Sequence, residues 1–197
     1  MSVSGNPYKL VALGKNGSGK TTVLNRFFYG ELVEMYDPGI EEDYRTVMKI
    51  DDISIIIDVA DTFGEDGFSA MRDISIRQGD GFILIYSITS KESFEEMKRI
   101  YEWIYRVKDK DENEVLPIIV VGNKCDLENE RQVTKEEGIE YADSIKSPFI
   151  ESSAKTNENI NQIFDIITRN VFEYKSYSEE ENWKIEKHKK EKGCCLF

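Results

Sequence analysis

Histidine occurs once in the 197-residue sequence, at position 188, and cysteine three times, at 125, 194 and 195. The single histidine lies in a lysine-rich stretch and is not assigned to catalysis. An odd cysteine count with two neighbours at the end argues against a disulfide framework and for a reducing compartment. No apolar run approaches the roughly 20 residues that span a bilayer. A charged-then-apolar leader is also missing, so cytosolic synthesis is the expectation. Basic residues are in deficit: 26 Lys+Arg against 38 Asp+Glu give −12, which excludes general nucleic-acid binding through a basic surface. The length suits one domain with a proper core plus a tail.

Glycine is concentrated where it matters. Gly14–Thr22 reads Gly-Lys-Asn-Gly-Ser-Gly-Lys-Thr-Thr and fits G-x-x-x-x-G-K-[ST] through Gly14, Gly19, Lys20 and Thr21. An apolar strand, Leu10–Leu13, precedes it and a helix-compatible run, Val23–Phe28, follows, the context that a phosphate-binding loop requires. Its glycines let successive N–H groups, here those of Asn16, Gly17, Ser18, Gly19, Lys20, Thr21 and Thr22, turn toward phosphate oxygens at a helix N-terminus. Lys20 is placed to reach the β- and γ-phosphates, and the Thr21 hydroxyl to ligate Mg²⁺.

Strands are predicted at Tyr8–Leu13, Arg45–Ile50, Ile53–Val59, Gly81–Ser87, Leu116–Val121 and Phe149–Glu151. The second and third form a hairpin about Asp51-Asp52. Gly81–Ser87 and Leu116–Val121 are continuous apolar runs, the signature of strands covered on both faces. Helices are predicted at Gly19–Phe28, from a capping box at Thr89-x-x-Glu92 to Lys108, and from another at Thr134-x-x-Glu137 to Ser144. A closing helix over Asn159–Tyr174 carries Ile160, Ile163, Phe164, Ile167 and Val171 at helical spacing. Gly30–Asp43 and Asp61–Gly67 read as loops. Alternating strands and helices imply an α/β, doubly wound, mostly parallel sheet, with ligands bound beyond the carboxyl ends of the strands.

The other candidate motifs fall at that edge. Asn123-Lys124-Cys125-Asp126 follows a strand and selects a base. A carboxylate only accepts hydrogen bonds, and guanine offers N1–H and its exocyclic amine side by side, whereas adenine presents an acceptor at N1. Asn123 can tie loops together and the Lys124 stem can cover the base. Backbone N–H groups of Ser153, Ala154 and Lys155 follow the last strand and are placed for the base carbonyl. Asp61 is placed to hold Mg²⁺ through water, and the Gly64 N–H to meet a γ-phosphate. Cys125 reads as a small buried residue, and Tyr101 and Trp103 as packing residues.

Five separated motifs in this order resemble the Ras family of small GTPases, nearest the Ras/Rap branch, over about Tyr8–Tyr174. The likeness includes Tyr36-Asp37-Pro38 in a first switch and Gly64 through Ser69-Ala70-Met71-Arg72-Asp73 in a second. It implies a P-loop fold with a six-stranded sheet and one antiparallel strand. It also implies a GTP/GDP switch whose two loops order around the γ-phosphate and Mg²⁺. Effectors, exchange factors and activating proteins would engage residues 36–44 and 61–73.

The sequence departs from the family around the phosphate. Gly39 replaces a Mg²⁺-binding threonine, Glu65 a water-orienting glutamine, Phe63 a small residue, and Asn16 a glycine that leaves room for an arginine finger. Leu32 replaces an aromatic at the guanine edge. Lys20, Gly64 and Glu65 are the expected catalytic set, and a chain that binds GTP but barely hydrolyses it is the alternative. An adenylate-type kinase is disfavoured by Asp126. Residues 1–176 form the expected GTP-binding domain and 177–197 a mobile lysine-rich tail. Cys194-Cys195-Leu196-Phe197 matches C-a-a-X, with Cys194 the prenyl acceptor and Phe197 favouring geranylgeranyl. Lys184, Lys187, Lys189, Lys190 and Lys192 supply a second signal for anionic lipid at the cytoplasmic face of a membrane, the plasma membrane being the expectation.

Overall fold

The computed structural model describes residues 3–31, 43–62, 69–111 and 114–193. Six strands form one sheet in the order β2-β3-β1-β4-β5-β6. They are β1 (Val3–Leu13), β2 (Asp43–Ile50), β3 (Ile53–Asp61), β4 (Gly81–Ser87), β5 (Ile118–Asn123) and β6 (Phe149–Ser152). Among these strands only the β2–β3 hairpin is antiparallel; β1 pairs parallel with β3 and β4, and β5 with β4 and β6. Asp51 takes positive φ at the hairpin turn, which the short polar side chain of aspartate tolerates. The α/β expectation, with one antiparallel strand, is met.

Helices cover both faces, and two cores result. One face carries α1 (Lys20–Tyr29) and α5 (Ile160–Gly193) over Leu10, Ile55, Ile57, Ile83, Ile85 and Val121. Ile160, Ile163, Phe164, Ile167 and Val171 are all buried there. Phe164 also stacks on Phe27 with centroids 3.7 Å apart. The other face carries α2 (Ser69–Gln78), α3 (Lys91–Lys108) and α4 (Lys135–Ser144) over Val11, Leu13, Phe82, Leu84 and Val120. Both β4 and β5 are buried at every position, as their apolar runs demand.

Three local readings change. The cap of α3 is Ser90, whose side chain accepts from Ser93 N–H at 3.2 Å. Thr89 is instead engaged through its hydroxyl with Ser87, which moves the cap one residue along. The box at Thr134 and Glu137 is present as expected. Helix α2 was missed because its apolar spacing is weak: Met71 and Ile74 face solvent, and Ile76 is buried. Its C-terminal carbonyls are held by a distant lysine, Lys108, which donates to Arg77 O and Gly79 O at 3.0 and 2.5 Å. Finally, α5 runs to Gly193 rather than Tyr174. The Glu- and Lys-rich sequence beyond Tyr174 has high intrinsic helix propensity even where no apolar stripe continues.

Tyr86 carries a hydroxyl that is buried without a hydrogen-bond partner among the described residues. It abuts Gly122 and Gly138, where an added Cβ would lie 2.9 and 2.6 Å from it. An unsatisfied buried hydroxyl costs about 1–3 kcal/mol. Tyr86→Phe is therefore expected to stabilise the fold by about 1 kcal/mol, read as a raised urea midpoint at unchanged slope; a lowered midpoint would contradict the assignment.

Candidate functional site

The carboxyl ends of β1, β3, β5 and β6 lie along one edge, at the point where β1 has β3 on one side and β4 on the other. Such a reversal opens a crevice in a doubly wound sheet. The loop Gly14–Gly19 fills it, with positive φ at Gly14, Gly17 and Gly19. Two of these are also forced by space. A Cβ on Gly14 would lie 2.1 Å from Ile85 O, and one on Gly19 2.3 Å from Asn123 Nδ2. Ser18 is fully buried, and its hydroxyl has no hydrogen-bond partner among the described residues. Asn16 is exposed.

Lys20 opens α1 and folds back over the loop. Its buried ammonium donates to Gly14 O at 3.0 Å and Lys15 O at 3.4 Å. Burial lowers its pKa below the usual lysine value, and the Asp61 carboxylate opposes that shift. The Thr21 hydroxyl donates to Asp61 Oδ2, so the first turn of α1 and the end of β3 bring two hard oxygen ligands together. This donor set fits Mg²⁺, which takes one or two protein oxygens and completes its shell with phosphate and water. Among the described residues no group of three or more acidic, His or Cys side chains gathers as a self-contained metal cage. Thr22 is half-buried in the first turn of α1.

The base motif is held from three sides. Asn123, buried at the end of β5, donates through Nδ2 to Ser18 O at 3.0 Å and accepts from Ser152 Oγ at 3.3 Å. Lys124, in left-handed conformation, donates to Gly17 O at 2.7 Å and so lies along the phosphate loop. Ser153 Oγ donates to Asp126 Oδ1 at 2.6 Å. The Ser153 N–H, expected to face a base carbonyl, donates instead to Glu158 O at 3.1 Å, and its hydroxyl is the group that holds Asp126. Ala154 and Lys155 follow directly; Ala154 is buried and Lys155 exposed.

Sequence reasoning passed over two contributors. Arg26 of α1 donates to Ala154 O at 2.8 Å, Lys155 O at 3.3 Å and Gly30 O at 2.7 Å. Lys15 forms an ion pair with Glu92 at the start of α3. Arg26 belongs to no motif and Lys15 fills an unspecified position of one, and only the fold brings their partners near. Burial pushes the Cys125 thiol up to about 11, with Glu158 adding to the shift. Trp103 does pack, and it also donates to Asp73 Oδ1 at 2.7 Å while the Arg72 guanidinium lies 4.1 Å over its ring. Tyr44 and Arg72, within the expected partner surfaces, are buried; Tyr44 donates to Asn25 Oδ1 at 2.7 Å. Gly64, Glu65, Phe63, Leu32, Gly39, the Tyr36-Asp37-Pro38 segment and Cys194 lie outside the described residues.

Fold and site together define a P-loop nucleotide-binding α/β protein with a guanine-type base loop. A model of the Ras family matches residues 9–173. The chain is 46% identical over 171 residues to "Ras-like protein rasB" of Dictyostelium discoideum, covering 87% of this chain and 85% of that one. It is 47% identical over 167 residues to "Ras-like protein" of Laccaria bicolor, covering 85% and 78%. Against "Ras-like protein 1" of Saccharomyces cerevisiae identity is 45% over 164 residues, 83% of this chain and 52% of that one. The chain belongs to the Ras family. It is a small GTPase, a hydrolase of GTP that serves as a guanine-nucleotide switch.

Gly19 has the least room of the loop's residues facing the base motif. Gly19→Ala places Cβ against the Asn123 amide in a left-handed conformation that costs a non-glycine residue roughly 1–2 kcal/mol. Affinity for fluorescent GDP is expected to fall at least about tenfold, or 1.4 kcal/mol, with the far-ultraviolet dichroism unchanged. Affinity within twofold of the wild type would show that the loop yields there.

Proposed function

We propose that this GTPase is a slowly hydrolysing, Mg²⁺-dependent switch carried on the cytoplasmic face of a membrane, most simply the plasma membrane, by a prenylated C-terminus. The observation that carries the nucleotide part is the convergence on one sheet edge of Lys20, the Thr21–Asp61 pair and the Ser153-aimed Asp126. Lys20 and the loop amides stabilise charge on the phosphates, and Asp126 reads the guanine N1–H and exocyclic amine. Thr21 and Asp61 would hold Mg²⁺, which would supply charge neutralisation at the phosphates. Water would attack the γ-phosphorus as its bond to the β–γ bridging oxygen breaks, GDP leaving on that oxygen and the water's proton passing to the released phosphate. The Gly64 N–H would face the γ-phosphate and Glu65 would accept a hydrogen bond from the water. Glu65 brings negative charge to an already anionic centre and cannot donate as glutamine does. This supports slow turnover. Regulators and effectors engage 36–44 and 61–73, where the exposed Met71, with exposed Ile74 just beyond, offers apolar contact.

Mass analysis of nucleotide released from the purified protein is expected to return GDP or GTP. Single-turnover hydrolysis is expected near the order of 10⁻⁴ s⁻¹, the range of an unassisted Ras. Stimulation by an arginine-finger activator is expected to fall at least about tenfold short of full assistance, because Asn16 occupies the finger's space. Asn16→Gly is expected to restore more of it than Glu65→Gln. Hydrolysis slower than nucleotide release would make the chain a binding module instead; full activator stimulation would overturn the role given to Asn16.

The tether rests on the C-a-a-X ending and the lysines before it. One prenyl chain is a marginal anchor, and each lysine near anionic lipid adds on the order of 1 kcal/mol. Cys194→Ser is expected to move the protein from the membrane pellet to the soluble fraction. Unchanged sedimentation with membranes would refute prenylation at Cys194 as the anchor.

A further inference from the structure

We infer that Arg26 is a positioning residue that couples the backbone at Gly30 to the loop that aims Asp126, so that guanine-nucleotide release is set by how firmly Gly30 is held. Helix α1 leaves the phosphate loop and ends at Gly30, and Arg26 captures both polar backbone groups of that glycine. Gly30 N–H donates to Arg26 O at 3.1 Å, and Arg26 Nη1 donates to Gly30 O at 2.7 Å. Gly30 has φ +72, and nothing lies within 4 Å of where its Cβ would be. It is a helix-end glycine held on its inner side only.

The remaining donors of the same guanidinium cross the site. Nε donates to Ala154 O at 2.8 Å and Nη2 to Lys155 O at 3.3 Å. A planar peptide points its C=O and the following N–H in opposite directions. Pinning Ala154 O therefore orients the Lys155 N–H, and pinning Lys155 O orients the Thr156 N–H. The Thr156 N–H donates to Ser153 Oγ at 3.1 Å, and Ser153 Oγ donates to Asp126 Oδ1 at 2.6 Å. The relay is continuous: Gly30, Arg26, the Lys155–Thr156 peptide, Ser153, Asp126. Rotation of the Gly30 peptide draws the guanidinium with it and loosens the carboxylate that reads the base. Only a rigid fork serves three carbonyls at once; a lysine ammonium, a point donor on a flexible stem, does not. A partner that moves the chain just after Gly30 would thereby speed release without touching the base.

The inference rests on Asp126 reading guanine, and the two fail separately. Inosine diphosphate lacks the exocyclic amine, so wild-type preference for GDP over IDP tests the Asp126 reading alone, and its loss would overturn that reading. Displacement of fluorescent GDP by excess GTP then tests the relay. Arg26→Met is expected to speed release at least tenfold and to reduce the GDP-to-IDP affinity ratio at least threefold. Arg26→Lys, which keeps charge and stem if the methionine variant does not fold, is expected to speed release at least threefold. Met97→Ala, a buried change on the opposite core, controls for general loosening and is expected to leave release and the ratio within twofold. Gly30→Ala, strained at φ +72, is expected to speed release in the wild type and to add nothing to Arg26→Met. Release within twofold of wild type in the Arg26 variants, an equal effect of Met97→Ala, an unmoved GDP-to-IDP ratio, or additive Gly30 and Arg26 effects would each overturn the relay.

Discussion

The site depends on one amide. Asn123 is buried at the end of β5, gives a hydrogen bond to Ser18 of the phosphate loop and takes one from Ser152 at the end of β6. Three chain segments more than 25 residues apart in sequence are thereby locked into one register. The contact is close enough that Gly19 has no room for a side chain. A carboxamide is the side chain that can donate to one loop and accept from another in the same plane. Aspartate has no donor and leucine has neither.

Around that joint the site holds a charge that the protein alone solvates poorly. Lys20 is buried, its pKa is lowered by desolvation, and its hydrogen bonds go to carbonyls. For a lysine with lowered folded-state pKa, the unfolded state binds the proton more tightly. Stability then rises with pH through the folded-state pKa, and at neutral pH the charged form carries a cost. A bound polyanion offsets that cost directly. The Thr21–Asp61 pair beside it extends the same logic to a cation. Folding thus leaves unfinished electrostatic business at the sheet edge, and the nucleotide completes it.

The two cores divide the labour. The face of α1 and α5 anchors the phosphate loop, through Val23 and Leu24 beneath it and the Phe27–Phe164 stack beyond. The opposite face seats α2 against α3 through the Arg72–Trp103 stack and the Trp103–Asp73 hydrogen bond. The base loop belongs to the first face, through Arg26. Helix α2 belongs to the other, through Ile76.

Much of the fold was legible in the residues because its signals are local. Apolar runs at Gly81–Ser87 and at Leu116–Val121 name buried strands, the second beginning at Ile118, the capping box at Thr134 marks α4, and the Gly14–Thr21 spacing marks the phosphate loop, each within a few residues of chain. The amphipathic stripe from Ile160 to Val171 specified one face of α5, and family resemblance followed from the motifs' order. What sequence left open is what depends on distance in space. Helix α2 lacks a clear period and takes its C-terminal capping from Lys108 of α3. The commitment of the Ser153 N–H to Glu158 arises only when the chain after β6 turns back on itself. Arg26 reads as an ordinary cation in the last turn of a helix until tertiary packing brings Ala154 and Lys155, 128 and 129 positions away, under its guanidinium. Covalent spacing encodes the periods and loops that a segment forms by itself; hydrogen bonds between segments exist only after the sheet has set their separation.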